Sequence, residues 1–325
     1  MPAKIIDGEP LAAKMLEQVA ADAQVLTAAG NKPKLAALLI GDSAPSKMYA
    51  KSQAQQCAAA GIDYELIELP ENISQADALA RVQQINADRS ISGLLLLMPF
   101  PKQIDARLVQ QTIAPSKDVE GMGPANMGKL FYGGGIVSPC TAAAAVELLK
   151  ATAGSLAGLE VVVVGHSEIV GKPIAAILLQ SLSESPTVTV CHVATKDLAF
   201  HTRRADVVFV ATGVPQVRWN AYSRKKKAGE NPPLPDLKGL IKGDMLKDGA
   251  IVIDVAINRI PKALDAEGNP VLNDKGKPAM ITVGDVDFDS AKDKVGAITP
   301  VPGGVGPVTV AILLRNTIAC AKANA

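Results

Sequence analysis

Aromatic residues make up only 3% of these 325 residues, and histidine occurs three times. A core must therefore be built from Ala, Val, Leu and Ile, which suits parallel strands covered by alanine-rich helices. Cys57, Cys140, Cys191 and Cys320 stand far apart with no C-x-x-C pair. That excludes a disulfide framework and, with so few histidines, a zinc centre; no metal is expected. Charge of one sign is missing too. The 33 basic and 32 acidic residues leave a formal net charge of +1, with no footprint for nucleic acid or a membrane surface. No apolar run reaches ~18 residues, so no bilayer span is expected. The opening MPAKIIDGEPLAAKM lacks a signal-peptide core. These absences predict a soluble, cytoplasmic α/β protein with its cysteines reduced.

What the sequence does have is alternation. Helical patterns cover 11–29 and 74–86, and a third, carrying Tyr49, stops at Gly61. Apolar runs at 34–40 (KLAALLI), 64–69 and 93–98 (GLLLLM) read as strands, the last cut off by Pro99-Phe100-Pro101. The second half repeats the scheme, with helices over 142–151, 171–180 and 308–321 and strands over 159–164, 187–192, 205–211 and 250–255. This order predicts a doubly wound parallel sheet with a ligand crevice at its strand C-termini. Two polar stretches, 218–248 and 259–280, read as long surface loops. The basic run Arg224-Lys225-Lys226-Lys227 in the first reads as solvated in preference to an anion-binding or partner patch.

Four stretches can carry chemistry. In VVVVGHSEIVGKP (161–173) a valine run ends at Gly165, and Gly171 and Pro173 open a helix, a ready pyrophosphate site. The spacing is G-x-S-x-x-x-G and not G-x-G-x-x-G, so alone it also suits an ordinary tight turn. The small-residue loops ATGVP (211–215) and DVAIN (254–258) tip the reading toward a dinucleotide crevice. TPVPGGVGP (299–307) packs three prolines and three glycines into nine residues, a rigid backbone suited to a flat heterocycle or a phosphate. In KDVEGMGPANMGKL (117–130), Asp118 and Glu120 share a face if the segment is extended and part if it is helical. They suit an amino-pyrimidine edge or, equally, a cap or solvent. Finally, Tyr49 and Gln53 share a helix face, while Lys51 points nearly the opposite way. His166, His192 and His201 have no metal-ligand spacing, and His192 reads as structural.

Taken in order, SKMYAKSQAQQCAAAGI, GLLLLMPFP, KDVEGMGPANMGKL, SPCTAAAAVELL, VVVVGHSEIVGKP, TVTVCHVAT, GAIVIDVAIN, GDVDF and TPVPGGVGPVT resemble the methylenetetrahydrofolate dehydrogenase/methenyltetrahydrofolate cyclohydrolase family. The resemblance spans nearly the whole chain. It implies two α/β domains around a cleft: a folate-binding catalytic domain over 1–140, joined by a returning helix at 300–325, and a Rossmann-type NAD(P)-binding domain over 141–299. It implies a homodimer that oxidises the one-carbon bridge of methylenetetrahydrofolate by hydride transfer to NAD or NADP. It places Tyr49, Leu97, Asp118, Glu120, Pro302, Gly303 and Gly304 at the folate, and Tyr49 and Gln53 at the catalytic face. At the nucleotide it places Gly165, His166, Ser167, Ile169, Gly171, Val193, Gly213, Pro215, Ile257 and Thr309.

Three positions depart from the pattern that the resemblance implies. The family's catalytic lysine is here Gln53, the glutamine that supports it is Leu97, and the pterin-binding aspartate is Glu120. Hydride transfer needs aligned rings and no protein base, whereas hydrolysis of the methenyl group needs protons moved, which an amide cannot do. The expectation is a dehydrogenase whose cyclohydrolase activity is lost or weak. The alternatives are a fully bifunctional enzyme yielding 10-formyltetrahydrofolate and a non-catalytic folate- or nucleotide-binding relative. The family places a basic residue at position 166 or 193 in its NADP enzymes, and here His166 and Val193 leave NAD against NADP open.

Overall fold

The structure, a computed structural model, describes residues 2–324. It divides into two compact units: 1–9 with 144–308, and 10–143 with 309–325. The boundaries differ from the expected domains at both ends. The first nine residues and the 300–308 turn fold with the second half of the chain. The reason is strand pairing: β1 (Lys4–Ile5) runs parallel to Ala297–Ile298.

The unit formed by 10–143 and 309–325 is built on three parallel strands. In chain order its elements are α1 (Glu9–Ala28), β2 (Lys34–Ile40), α2 (Ala44–Ala59), β3 (Asp63–Leu69), α3 (Gln75–Ala87), β4 (Gly93–Leu97), α4 (Ala106–Thr112) and α5 (Pro124–Tyr132). The strand order is β3-β2-β4. β2 is central and buried on both faces, which is why KLAALLI has no polar alternation. Its side chains divide by parity. Leu35, Ala37 and Leu39 enter a core with Val19, Ala23, Leu313 and Ile318, while Ala36, Leu38 and Ile40 pack on Val82, Ile85 and Val109. α2 starts where Ser43 Oγ accepts the Ser46 N–H at 3.3 Å with Pro45 in the first turn, and the chain leaves it through Gly61 at φ 72°. The predicted elements here lie within two residues of the observed ones. α4 and α5 went unread.

α6 (Cys140–Ala153) carries the chain over to the second unit, whose remaining elements are β5 (Glu160–Val164), α7 (Gly171–Leu178), β6 (Thr187–Cys191), α8 (Leu198–Thr202), β7 (Val207–Val210), α9 (Val214–Lys227), β8 (Ile251–Asp254), β9 (Asn258–Pro261), β10 (Met280–Val283), α10 (Phe288–Ala291) and β11 (Ala297–Ile298). α11 (Val305–Ala323) then returns to the first. The six-stranded sheet has the order β1-β11-β8-β7-β5-β6, parallel throughout. Because β6 and β7 lie on opposite sides of β5, the winding reverses at β5, and the crevice of a doubly wound sheet opens there.

Both expected loops are corrected. The start of the 218–248 stretch, as far as Lys227, belongs to helix α9, the rest being largely irregular, and the basic residues Arg224, Lys225, Lys226 and Lys227 form the last turn of that helix, where cations suit the carbonyl end of the helix dipole. The polar sequence hid its buried aromatic anchor, Tyr222, which donates to the Gly268 carbonyl at 3.0 Å. Residues 258–283 form an antiparallel ribbon, β9 against β10, extended by bridges Leu264↔Pro270 and Leu272↔Pro278. α11 also corrects the absence of a long apolar run: by length and composition alone it is able to cross a bilayer, yet 61% of that window is buried in the fold.

Candidate active site

In the three-stranded unit the site grows from one turn of α2. Tyr49 is half exposed, while Gln53 beside it is 3% exposed. Burial, then the charge of Glu120, push the Tyr49 phenol above its usual range, and the Gln53 amide pulls the other way. Gln53 Oε1 accepts a long hydrogen bond, 3.4 Å, from the Tyr64 hydroxyl on β3. Its Nε2 has no partner at all, an unusual state for a buried donor. Lys51 is exposed on the far side of the helix, as the spacing predicts.

The 117–121 segment is extended and not helical, fixed by a parallel bridge between Leu94 and Asp118 and by the Leu94 N–H to Lys117 carbonyl bond at 2.8 Å. Gly93 permits this, since a Cβ there would lie 2.1 Å from Val119 Cγ1. The two acids then take different roles. Asp118 is fully buried and accepts from Gln110 Nε2 (3.2 Å), Met122 N (3.2 Å), Gly123 N (2.7 Å) and Asn126 Nδ2 (3.0 Å). Its lone pairs are committed to the start of α5, so the expectation that it binds substrate is corrected: it is a scaffold. Glu120 has one main-chain partner, Leu96 N–H, which lowers its pKa less than burial and the Asp118 charge raise it; the result is about 7. The Cys140 thiol is raised well above its usual range by burial, then by Glu120 and Asp118. Asn316 of α11 ties the segment down through the carbonyls of Val119 (2.8 Å) and Ser138 (2.9 Å). Leu97 is also corrected. At 2% exposure it is part of the core with Leu39 and Ala50 and presents no face to a ligand.

In the six-stranded unit, the turn after β5 is built around two glycines. Gly165 has φ +121°, and a Cβ there would lie 2.3 Å from the Ala211 carbonyl oxygen at the end of β7. A Cβ on Gly171 would lie 1.9 Å from the Gly165 carbonyl oxygen. Strand, turn and helix are therefore as close as a dinucleotide-binding turn requires. Ser167 caps the turn, its Oγ accepting the Val170 N–H at 3.1 Å. His166 and His192 stack, with ring centroids 4.7 Å apart and planes 23° apart. Val193, Ile169 and Ile257 are exposed, while Pro215 is buried in the first turn of α9 behind Gly213 at φ 67°.

Two carboxylates that the sequence reading did not single out hold these loops. Asp285 accepts from Thr212 N (2.5 Å), Thr212 Oγ1 (2.7 Å), Gly213 N (2.8 Å) and Asn258 Nδ2 (3.0 Å). Asp254 accepts from Asp285 N (3.0 Å), Val286 N (2.8 Å) and Ala256 N (3.2 Å). Burial raises Asp254 to about 7, those main-chain bonds opposing the shift. A Cβ on Gly284 would lie 1.9 Å from Asp254 Oδ2, which makes the glycine of GDVDF obligatory. The only signal in the sequence was that both acids stand inside quoted motifs. The ribbon and the 235–238 segment wall a cavity of about 920 Å³ floored by Asp254, Gly284 and Thr299.

The remaining expected residues are divided. Gly303 has φ +108° and Pro302 is exposed, whereas Gly304 is buried, its carbonyl oxygen 1.9 Å from where a Gly8 Cβ would stand. Gly304 is thus closed against the main chain of Gly8. Pro302, Gly303 and Gly304 belong to the same unit as the nucleotide turn, and Thr309 to the unit of Tyr49.

A parallel doubly wound unit with a glycine turn at its winding reversal, in a chain whose other α/β unit carries a tyrosine–carboxyl pair, defines a dinucleotide-binding protein of two units. The chain belongs to the tetrahydrofolate dehydrogenase/cyclohydrolase family: residues 6–120 match its catalytic domain, and residues 139–225 and 237–325 its NAD(P)-binding domain. The cofactor is accordingly NAD or NADP. Among relatives, Bifunctional protein FolD 2 of Mesorhizobium japonicum is 43% identical over 97% of this chain and 90% of its own length. Among solved structures, the bifunctional FolD methylenetetrahydrofolate dehydrogenase/cyclohydrolase of Campylobacter jejuni is 38% identical with a TM-score of 0.81, over 99% of this chain and 100% of that one. The Trypanosoma brucei methylenetetrahydrofolate dehydrogenase-cyclohydrolase, solved with NADP and an inhibitor, is 32% identical with a TM-score of 0.80 over 99% and 98%.

Proposed function

We propose that this chain oxidises 5,10-methylenetetrahydrofolate to 5,10-methenyltetrahydrofolate by hydride transfer to NAD or NADP, and hydrolyses the methenyl product weakly or not at all. The nicotinamide supplies the hydride acceptor. The unit of 144–308 holds the nucleotide, and that of 10–143 with 309–325 carries the folate chemistry. The protein works as a cytoplasmic homodimer. The observation that carries the loss of hydrolysis is Gln53, a buried neutral amide one helical turn from Tyr49, backed by Leu97, an apolar side chain buried in the core with Leu39 and Ala50. An amide orients a substrate but moves no proton, and proton transfer by a side chain is worth about a hundred- to ten-thousand-fold. Steady-state assays with NAD and NADP in parallel, following formyl product separately, test this. Formyl production well above the spontaneous rate sinks the proposal.

A second reading, full bifunctionality, has its own support. The relatives of highest similarity given above are named bifunctional, and Glu120, raised to about 7, is a carboxyl able to exchange protons near neutrality. In that case Glu120→Gln abolishes formyl production and spares hydride transfer.

A further inference from the structure

We propose that Tyr64 is a positioning residue for folate oxidation: its hydroxyl fixes which end of the Gln53 amide faces Tyr49, and so makes the Tyr49 hydroxyl a donor to the folate. The inference rests on Tyr49 standing at the folate, as the proposed function has it. Tyr64 comes from β3, eleven positions beyond Gln53, and its ring packs on the core that contains Ala50 and Leu97.

What each group can donate or accept sets the order. The Tyr64 hydroxyl donates to Gln53 Oε1 at 3.4 Å. Burial, then the charges of Cys57 and Tyr49, push the Tyr64 phenol well above its usual range, so the hydroxyl keeps its proton at any working pH. An amide oxygen only accepts and an amide nitrogen only donates. With Oε1 turned to Tyr64, Nε2 is the end left for Tyr49, which the i,i+4 spacing brings onto the same face of α2. Burial, then the Glu120 charge, raise the Tyr49 phenol, with Cys140 adding a little, and the Gln53 amide lowers it, as only a donor can. Yet Nε2 closes no hydrogen bond here and is shut off from solvent, a buried donor left unsatisfied. An atom so enclosed does not meet a ligand directly. Tyr49, half exposed, reaches both the amide and the outside. Once its oxygen accepts from Nε2, its own hydrogen points outward, toward a carbonyl oxygen or an unprotonated ring nitrogen of the folate. Without the Tyr64 hydroxyl the amide is free to turn over, and Oε1 then competes for that hydrogen.

Steady-state kinetics and fluorine NMR on the full chain test this. Tyr64→Phe keeps the ring and removes the hydroxyl. It is expected to raise KM for methylenetetrahydrofolate about fivefold, with kcat within about twofold and the melting temperature held. In a Tyr49→Phe background the same change should have no further effect, because residues that act through one another are not additive. An unchanged KM in Tyr64→Phe, or losses that add in the double variant, overturns the linkage. In protein made with 3-fluorotyrosine, the Tyr49 resonance is assigned by its loss in Tyr49→Phe. It should titrate at higher pH in Tyr64→Phe, where the lowering by the amide is lost. A midpoint that stays or falls overturns the proposed amide orientation. That signal needs no turnover, so an upward move in a chain that fails to oxidise methylenetetrahydrofolate overturns the folate reading while the Tyr64–Gln53–Tyr49 linkage stands.

Discussion

The nucleotide loops and the Tyr49 face treat their buried polar groups in opposite ways. Around β7 and β8 each carboxylate is saturated: four donors converge on Asp285 and three main-chain N–H groups on Asp254. On α2, Gln53 Nε2 is buried without a partner, and Glu120 has one main-chain donor against the burial that raises it. A saturated network holds a shape, because removing any member strands several others. An unsatisfied group has bonding capacity left for a ligand. Asp118 shows that both treatments occur two residues apart, since it is saturated and Glu120 is not.

The comparison breaks most visibly at the glycine turn. Gly171→Ala drives a methyl into the Gly165 carbonyl and is expected to cost ~3 kcal/mol or more, with nucleotide binding lost; denaturant unfolding and nucleotide titration check it. Asp285→Ala strands the Thr212 and Gly213 amides, while Asn258 Nδ2 keeps the Gly284 carbonyl, for about 3 kcal/mol. Its NAD(P) affinity should fall while folate binding holds, which paired titrations would reveal.

Glu120 should behave in the opposite sense. Its folded carboxyl releases its proton near 7, the unfolded one near the usual value of 4.5, so between those values the folded state holds more protons and stability falls as pH rises. Glu120→Gln removes that decline. The variant is expected to be more stable than the parent by about 3 kcal/mol at pH 8, the gap closing toward pH 4. Asp254 adds a decline of the same sign, but Asp254→Asn should destabilise at every pH, because an amide nitrogen would face main-chain donors. Urea unfolding across pH separates the two. Next in size, Gln53→Lys with Leu97→Gln should raise formyl production about a hundredfold, leaving hydride transfer within a few-fold; an unchanged product ratio would count against a proton-transfer role for that position. The smallest effect is that of Tyr64→Phe, ~0.5 kcal/mol, since its hydrogen bond to Gln53 is long.

Much of the fold was legible along the chain. KLAALLI and GLLLLM gave strands because runs buried on both faces are apolar throughout, and the serine and glycine signals bounded α2. α9 was hidden, since a helix with one buried aromatic anchor has no apolar stripe to read. The ribbon at 258–283 was hidden because its pairing joins residues some twenty apart in a polar stretch. At the site, the i,i+4 relation of Tyr49 and Gln53 followed from helix geometry alone. The roles of Asp118 and Glu120 did not, because two acids in one extended segment are equivalent until their donors are known.

By itself the sequence determined the alternation of strands and helices, the glycine turn after β5, and the substitution of an amide at position 53. Those are local properties of spacing and residue type. Only the tertiary structure decided which acids are scaffold and which is unsatisfied, that Leu97 is core, and that two histidines 26 positions apart stack. Each of these depends on burial and on donors brought from distant segments, and a chain read in one dimension carries neither.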